Sequence, residues 1–469
     1  MPYSSRVPQL LLGLLLAGGF NGSALAEKPC TAPPGQLCWE VHYPTITPQS
    51  MRLSLLSALV MGAQGVDGWL PATASWQTDF TDSCRSKSEA VRLAGVHTRL
   101  KWFDLLDTKV SSDYKECNPE GAARHMQNVT GHEWIWRSYT RGEADKADNL
   151  TVQVLKQLEA PVIIPYFGQW DHWLTIVQVT ARMLSASEYE VTGAVFYDGL
   201  LGSDLAGFGK LLGARMSPRV VVDSISFARS YTHIMSAPMA DCNTAALPAD
   251  RCDVLFGDSW YNRFVSIYDP PPGAPSPAAL ASTGKTTFAV TPGTLRPGEH
   301  MTAGLARSRA FEAARVAGKD VDPALAAALR EGQPDEAVHV AGYWPSGDPW
   351  NYYLVPVRDA TNRLSALIQL SAQDGAFEAT AVLPQSIPFA PLSLDQARSI
   401  ASRELRRSET LDNGQLTWNP RPYVAGARSP FVPYYEFKVQ NTSTSVPQEV
   451  VRVIWHTGKL AGRAPAGLP

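Results

Sequence analysis

The sequence predicts an α+β protein in two parts, the first of helices followed by an antiparallel sheet and the second a small hairpin-helix unit. Three observations carry this. Short β-branched runs cluster late in the first half, one segment of the second half alternates hairpins with a capped helix, and a proline-rich stretch lies between them. Residues 269–285 hold that stretch, Asp-Pro-Pro-Pro-Gly-Ala-Pro-Ser-Pro and the residues after it, which reads as a stiff linker. One domain is expected near 40–268 and the other near 286–462. The chain has 469 residues, 45% of them hydrophobic and 18% charged, enough to bury cores in both. Lys and Arg number 41 against 44 Asp and Glu, so the basic footprint of a general nucleic-acid binder is absent.

Residues 1–26 read as an export signal. Arg6 precedes the apolar run 10–17, and Ala24-Leu25-Ala26 is a small-residue cleavage pattern. No later window is long and apolar enough to suggest a transmembrane segment. The expected location is periplasmic or extracellular. All six cysteines follow the signal, and an oxidising compartment favours pairing. The sequence-local pairs are Cys30–Cys38, Cys84–Cys117 and Cys242–Cys252; sequence alone does not choose the connectivity.

In the first domain, Leu53, Leu55, Leu56, Leu59 and Val60 form a helical stripe after Thr47-Pro48. Helices are expected at 120–128 and 149–158. Strands follow at 161–165, 173–181 and 190–197. A turn centred on Ser185 would join the last two. It would set Arg182 opposite Glu188, Gln178 opposite Thr192 and Leu174 opposite Phe196, a charged, a polar and an apolar pair. The same register sets His172 directly opposite Asp198. A carboxylate beside an imidazole fixes its tautomer and stabilises the imidazolium, which is the base half of a nucleophile–base–orienter triad. The pair would serve equally as a structural clamp at a sheet end. In the second domain, strands are expected at 352–357, 364–370 and 376–382, with Asp374-Gly375 turning between the last two. Ser393 and Gln396 form a capping box. The segments 434–439 and 450–455 form a further hairpin-like pair.

Pro161-Val-Ile-Ile-Pro165 followed by Gly-Gln-Trp-Asp-His172-Trp-Leu-Thr-Ile-Val-Gln-Val179 resembles the histidine motif of papain-like peptidases of the C39 type. Residues 118–124, with Thr130-Gly-His132, resemble an upstream helix of that group. Phe196-Tyr-Asp198-Gly199 resembles its third catalytic position. The resemblance covers about 40–268 and implies a papain-like domain of one helix packed on an antiparallel sheet. The family's nucleophile is a cysteine opening the first helix, where the dipole and free N–H groups suit a thiolate. Here that helix begins Pro48-Gln49-Ser50-Met51 and holds no cysteine. Ser50 or Met51 takes the position, with Gln49 and Trp173 expected beside a substrate. Cys38-Trp39 matches the family's "Cys-Trp" dipeptide and is the alternative nucleophile, with Gln36 two residues before it.

Leu392-Ser-Leu-Asp-Gln-Ala-Arg-Ser-Ile-Ala401 and Val451-Arg-Val-Ile-Trp-His-Thr-Gly-Lys459 resemble the helix and hairpin of PepSY domains, small α+β units associated with peptidase inhibition. The resemblances together imply an exported pseudopeptidase that holds a peptide or cell-envelope protein, or an active peptidase or amidase using Ser50 or Cys38 with His172 and Asp198. No cofactor is expected. Gly131 interrupts the helix that would align His125 with His132, so no metal is expected either. Trp134, Trp136, Tyr139, Trp344, Trp350, Tyr352 and Tyr353 read as core rather than as a ligand platform.

Overall fold

The strand β1 (Leu37–Glu40) is followed, in chain order, by β2 (Ile135–Thr140) and α1 (Ala144–Gln153). These belong to a computed structural model that describes residues 35–40, 123, 133–158, 160–166, 169–205, 218–231, 263–268, 270, 272–319, 322–344, 348–420, 424, 427, 429–441 and 449–465. The export signal, the first helix with Gln49 and Ser50, and Cys30, Cys84, Cys117, Cys242 and Cys252 lie outside the described residues. Of the 120–128 helix only Ala123 is described, and it is helical.

The helix expected over 149–158 begins five residues earlier. It ends as a π turn, Val154–Leu158. Then come β3 (Val162–Tyr166), β4 (Gln169–Ser185), β5 (Glu188–Tyr197), α2 (Gly199–Leu205), β6 (Arg219–Asp223), α3 (Ser224–Tyr231) and β7 (Arg263–Tyr268). β1 and β3 both pair with β4, and β5 pairs with β4 and β6, all antiparallel. β2 pairs with β7.

The proline-rich stretch is not an extended spacer throughout. Ser276 caps α4 (Pro277–Ser282), accepting from the Ala279 N–H, and Pro277 takes the first helical position, where its missing N–H costs nothing. Leu280 and Ala281 are buried. The chain continues directly into β8 (Lys285–Phe288), which runs parallel to β5. After it come α5 (Ala303–Val316), α6 (Pro323–Glu331), β9 (Gln333–Pro334), β10 (Val338–Tyr343), β11 (Pro349–Arg358), β12 (Leu364–Ser371) and β13 (Phe377–Ile387). α7 (Leu394–Ala401) carries the expected capping box at Ser393. The last strands are β14 (Glu409–Leu411), β15 (Gln415–Trp418), β16 (Tyr434–Asn441), β17 (Glu449–Ile454) and β18 (Leu460–Pro465).

The class is therefore α+β, with a large, mostly antiparallel sheet of eighteen strands among the described residues. Two ladders join strands on either side of the proline-rich stretch: β5 with β8, and β6 with β13. Both faces of the central strands are covered. Ile176, Phe196, Val220 and Val222 face a core shared with α1. Val177, Val195 and Val221 alternate to the other side and pack with Ala310, Ala313 and Leu325 of α5 and α6. Burial on both faces explains why these strands read as runs of apolar residues.

Candidate functional site

The β4–β5 hairpin positions the residues singled out from sequence. Its register differs from the expected one. Thr175 pairs with Tyr197 and Ile176 with Phe196; Arg182 pairs with Glu190, not Glu188, and bonds to it at 2.7 Å. The turn is the two residues Ala186 and Ser187, because β4 runs on through the exposed Met183 and Leu184 to Ser185. Three irregularities interrupt the ladder, near Ile176, Thr180 and Met183. His172 is therefore not directly opposite Asp198. Thr175 already faces the last residue of β5, and continuing that pairing one step puts Asp198 level with Leu174, two residues from His172. The side chains of His172 and Trp173 lie outside the described set; on the backbone, Trp173 pairs with Pro165.

Asp198 is fully buried. Its N–H donates to the Pro218 carbonyl at 3.1 Å, and its Oδ1 accepts from the Leu201 N–H at 2.9 Å. The carboxylate thus caps the first turn of α2. The far end of α2 is held too: Nε2–H of His456 donates to the Asp204 carbonyl at 2.8 Å. That ring stacks on Phe389, and burial holds its pKa below the usual 6.5.

Cys38 lies on β1 in register with Thr180. It is disulfide-bonded, and among the described residues there is no free cysteine. A sulfur held in a disulfide is no nucleophile, which takes that role from Cys38. Its disulfide partner lies outside the described residues.

A second set of groups escaped the sequence reading. Lys319 is buried and donates from Nζ to the Thr192 carbonyl at 2.7 Å. Burial lowers its pKa to about 8, against the opposing pull of Asp223 and Asp322. Asp223 is itself buried, which raises its carboxyl pKa despite Lys319 and bonds from Thr291 and the Ile225 N–H. Arg219 bonds to Asp322 at 2.9 Å and to Gln178 at 2.7 Å. Asp322 also caps α6 through the N–H groups of Ala324 and Leu325. These charges tie β4, β5 and β6 to the segment before α6.

On β13, Glu378 sits where the β12–β13 register slips. Such a bulge re-aims a side chain. Both carboxyl oxygens lie 3.0 Å from Trp350 Nε1, and one accepts from Gln369 Nε2 at 2.9 Å. Burial pushes Glu378 up to about 8; the charge on Asp223 adds to this, and the two hydrogen bonds oppose it. Trp350 stacks on Trp344 with centroids 3.9 Å apart, and the Arg229 guanidinium lies over Trp344 at 5.3 Å. Trp344, Trp350 and Tyr352 are buried, as a core reading requires. The signal that could have found Glu378 is a lone acid in the apolar run Phe377-Glu-Ala-Thr-Ala-Val-Leu383.

Among the described residues no three His, Cys, Asp or Glu side chains converge as metal ligands, and no helix is long and apolar enough to cross a membrane. No protein-family model, no curated protein and no solved structure matches the chain.

Proposed function

We propose that this chain is an exported, non-hydrolysing relative of papain-like peptidases of the C39 type, which holds a peptide or a cell-envelope protein. The observation that carries the reading is the state of Cys38. The segment matching the nucleophile helix has no cysteine, and Cys38, the remaining candidate, is in a disulfide. That bond also supports export, because disulfides persist in oxidising compartments. His172 on β4 and Asp198 just past β5 lie on neighbouring antiparallel strands, which supports the papain-like layout. Asp198 spends one carboxylate oxygen on the cap of α2, a structural use that survives loss of catalysis.

The test uses the signal-free protein with its disulfides intact. Fluorophosphonate and vinyl-sulfone probes are applied to wild type, Ser50→Ala and His172→Ala, and binding of a mixed peptide digest is measured in parallel. The expected result is peptide capture without labelling. Labelling of Ser50 that disappears in His172→Ala would instead establish an active acyl-transfer enzyme.

A further inference from the structure

We propose that Arg229, over the Trp344 ring and beside Glu378, anchors a ligand carboxylate, and that this is the C-terminal carboxylate of a bound peptide, a choice of ligand that rests on the peptide-holding reading above. Arg229 is exposed on α3. Its guanidinium carbon lies over the Trp344 ring, 5.3 Å from the centroid, and Trp344 in turn stacks on Trp350. A cation–π contact of this kind holds the head group in place without using up its N–H donors. Among the described residues no carboxylate lies within ion-pair distance of it, whereas Arg219, Arg358, Arg452 and Arg463 each have one. A planar donor fork of this kind matches a carboxylate bidentately.

Glu378 decides whether an anion is tolerated. The groups facing it are Trp350 from β11, Gln369 from β12, Asp223 from β6 and Arg229 from α3. Of these only Asp223 and Arg229 bear charge. Held up to about 8 by burial, the Glu378 carboxyl is mostly neutral at pH 7 and does not repel an incoming anion. Above that pH it ionises and competes with the ligand for Arg229.

The experiment titrates the full signal-free protein with N-acetyl-phenylalanine and with its amide, then with one captured peptide as free acid and as C-terminal amide. Tryptophan emission and calorimetry report binding. The acid is expected to bind about ten-fold or more tightly than the amide, the worth of one charge-assisted bidentate contact. Arg229→Ala loses that preference, and Arg229→Lys, the milder change should alanine disturb folding, retains part of it. Glu378→Gln abolishes the loss of affinity between pH 7 and about pH 9 that the wild type shows. The proposal is overturned if the acid does not bind, if acid and amide bind alike, or if Arg229→Ala leaves the preference intact. Binding of the small acid without any peptide would sink the peptide reading and leave the carboxylate site standing. Peptides held regardless of amidation would do the reverse.

Discussion

Glu378 gives the sharpest prediction because its protonation reports on folding as well as on ligands. Its carboxyl moves from an ordinary 4.5 to about 8 in the folded chain. A raised value means that the folded state holds the proton more tightly than the unfolded state does. The resulting stabilisation is complete below about 4.5 and is lost as pH climbs through about 8. A displacement of that size is worth at most about 5 kcal/mol. Rearrangement of the surrounding side chains around the ionised group reduces this, so about 2–3 kcal/mol is expected. Glu378→Gln removes the proton but keeps an oxygen for Trp350 Nε1. Its new N–H group has a ready acceptor in Gln369 Oε1, a buried oxygen with no partner among the described residues. Urea unfolding followed by tryptophan emission, at about pH 5.5 and about pH 8.5, compares variant with wild type. The variant should gain about 2 kcal/mol or more on the wild type over that interval. A stability difference that stays constant with pH refutes the reasoning, for then Glu378 is ionised in the native state at both values.

Three other perturbations follow from the same contacts. Asp322→Ala strands the Arg219 guanidinium, which is only slightly exposed, and removes the cap of α6; a loss of about 3–5 kcal/mol in urea unfolding is expected. His456 has its pKa lowered by burial, so its contribution to stability is intact above the ordinary 6.5 and is lost as pH falls below it. His456→Gln, which keeps a donor for the Asp204 carbonyl, should flatten that acid-side decline in a melting-temperature profile. Gly375 turns the β12–β13 hairpin at φ +72°, and a Cβ there would crowd Met301 and Thr294. Gly375→Ala should therefore cost about 1–2 kcal/mol, read as a lowered urea midpoint.

Local features of the fold were legible in the sequence. The Ser393–Gln396 box starts α7 because the two groups satisfy each other across three residues, with no help from the rest of the chain. The β12–β13 and β16–β17 hairpins were legible for the same reason: short runs with a short return path leave few alternatives. The β4–β5 hairpin was legible as a hairpin but not in its register. Charge, polarity and apolarity matched in the expected pairing, yet Arg182 finds an acid at either 188 or 190, both Glu, so the pattern could not separate the two. What decided it was turn length, and Ala186-Ser187 lacks the glycine or asparagine that marks a two-residue turn.

The candidate site was legible only in the part that is local. His172 and Asp198 stand out because they flank one hairpin. Arg229, Trp344 and Glu378 come from α3, the residue just past β10, and β13, on both sides of the proline-rich stretch, and meet through long-range packing. Periodicity cannot predict such a meeting, since β6 pairs with β13 across more than a hundred residues of chain. The burial of the tryptophans did not show that they were inert. A buried indole can fill the core and still hold a carboxyl through its N–H, while its neighbour holds a cation. What matters in such a cluster is whether the acid has its charge balanced from within, and here no ion pair among the described residues does so for Glu378. That imbalance is why both the pH dependence of stability and the choice of ligand turn on the same carboxyl group.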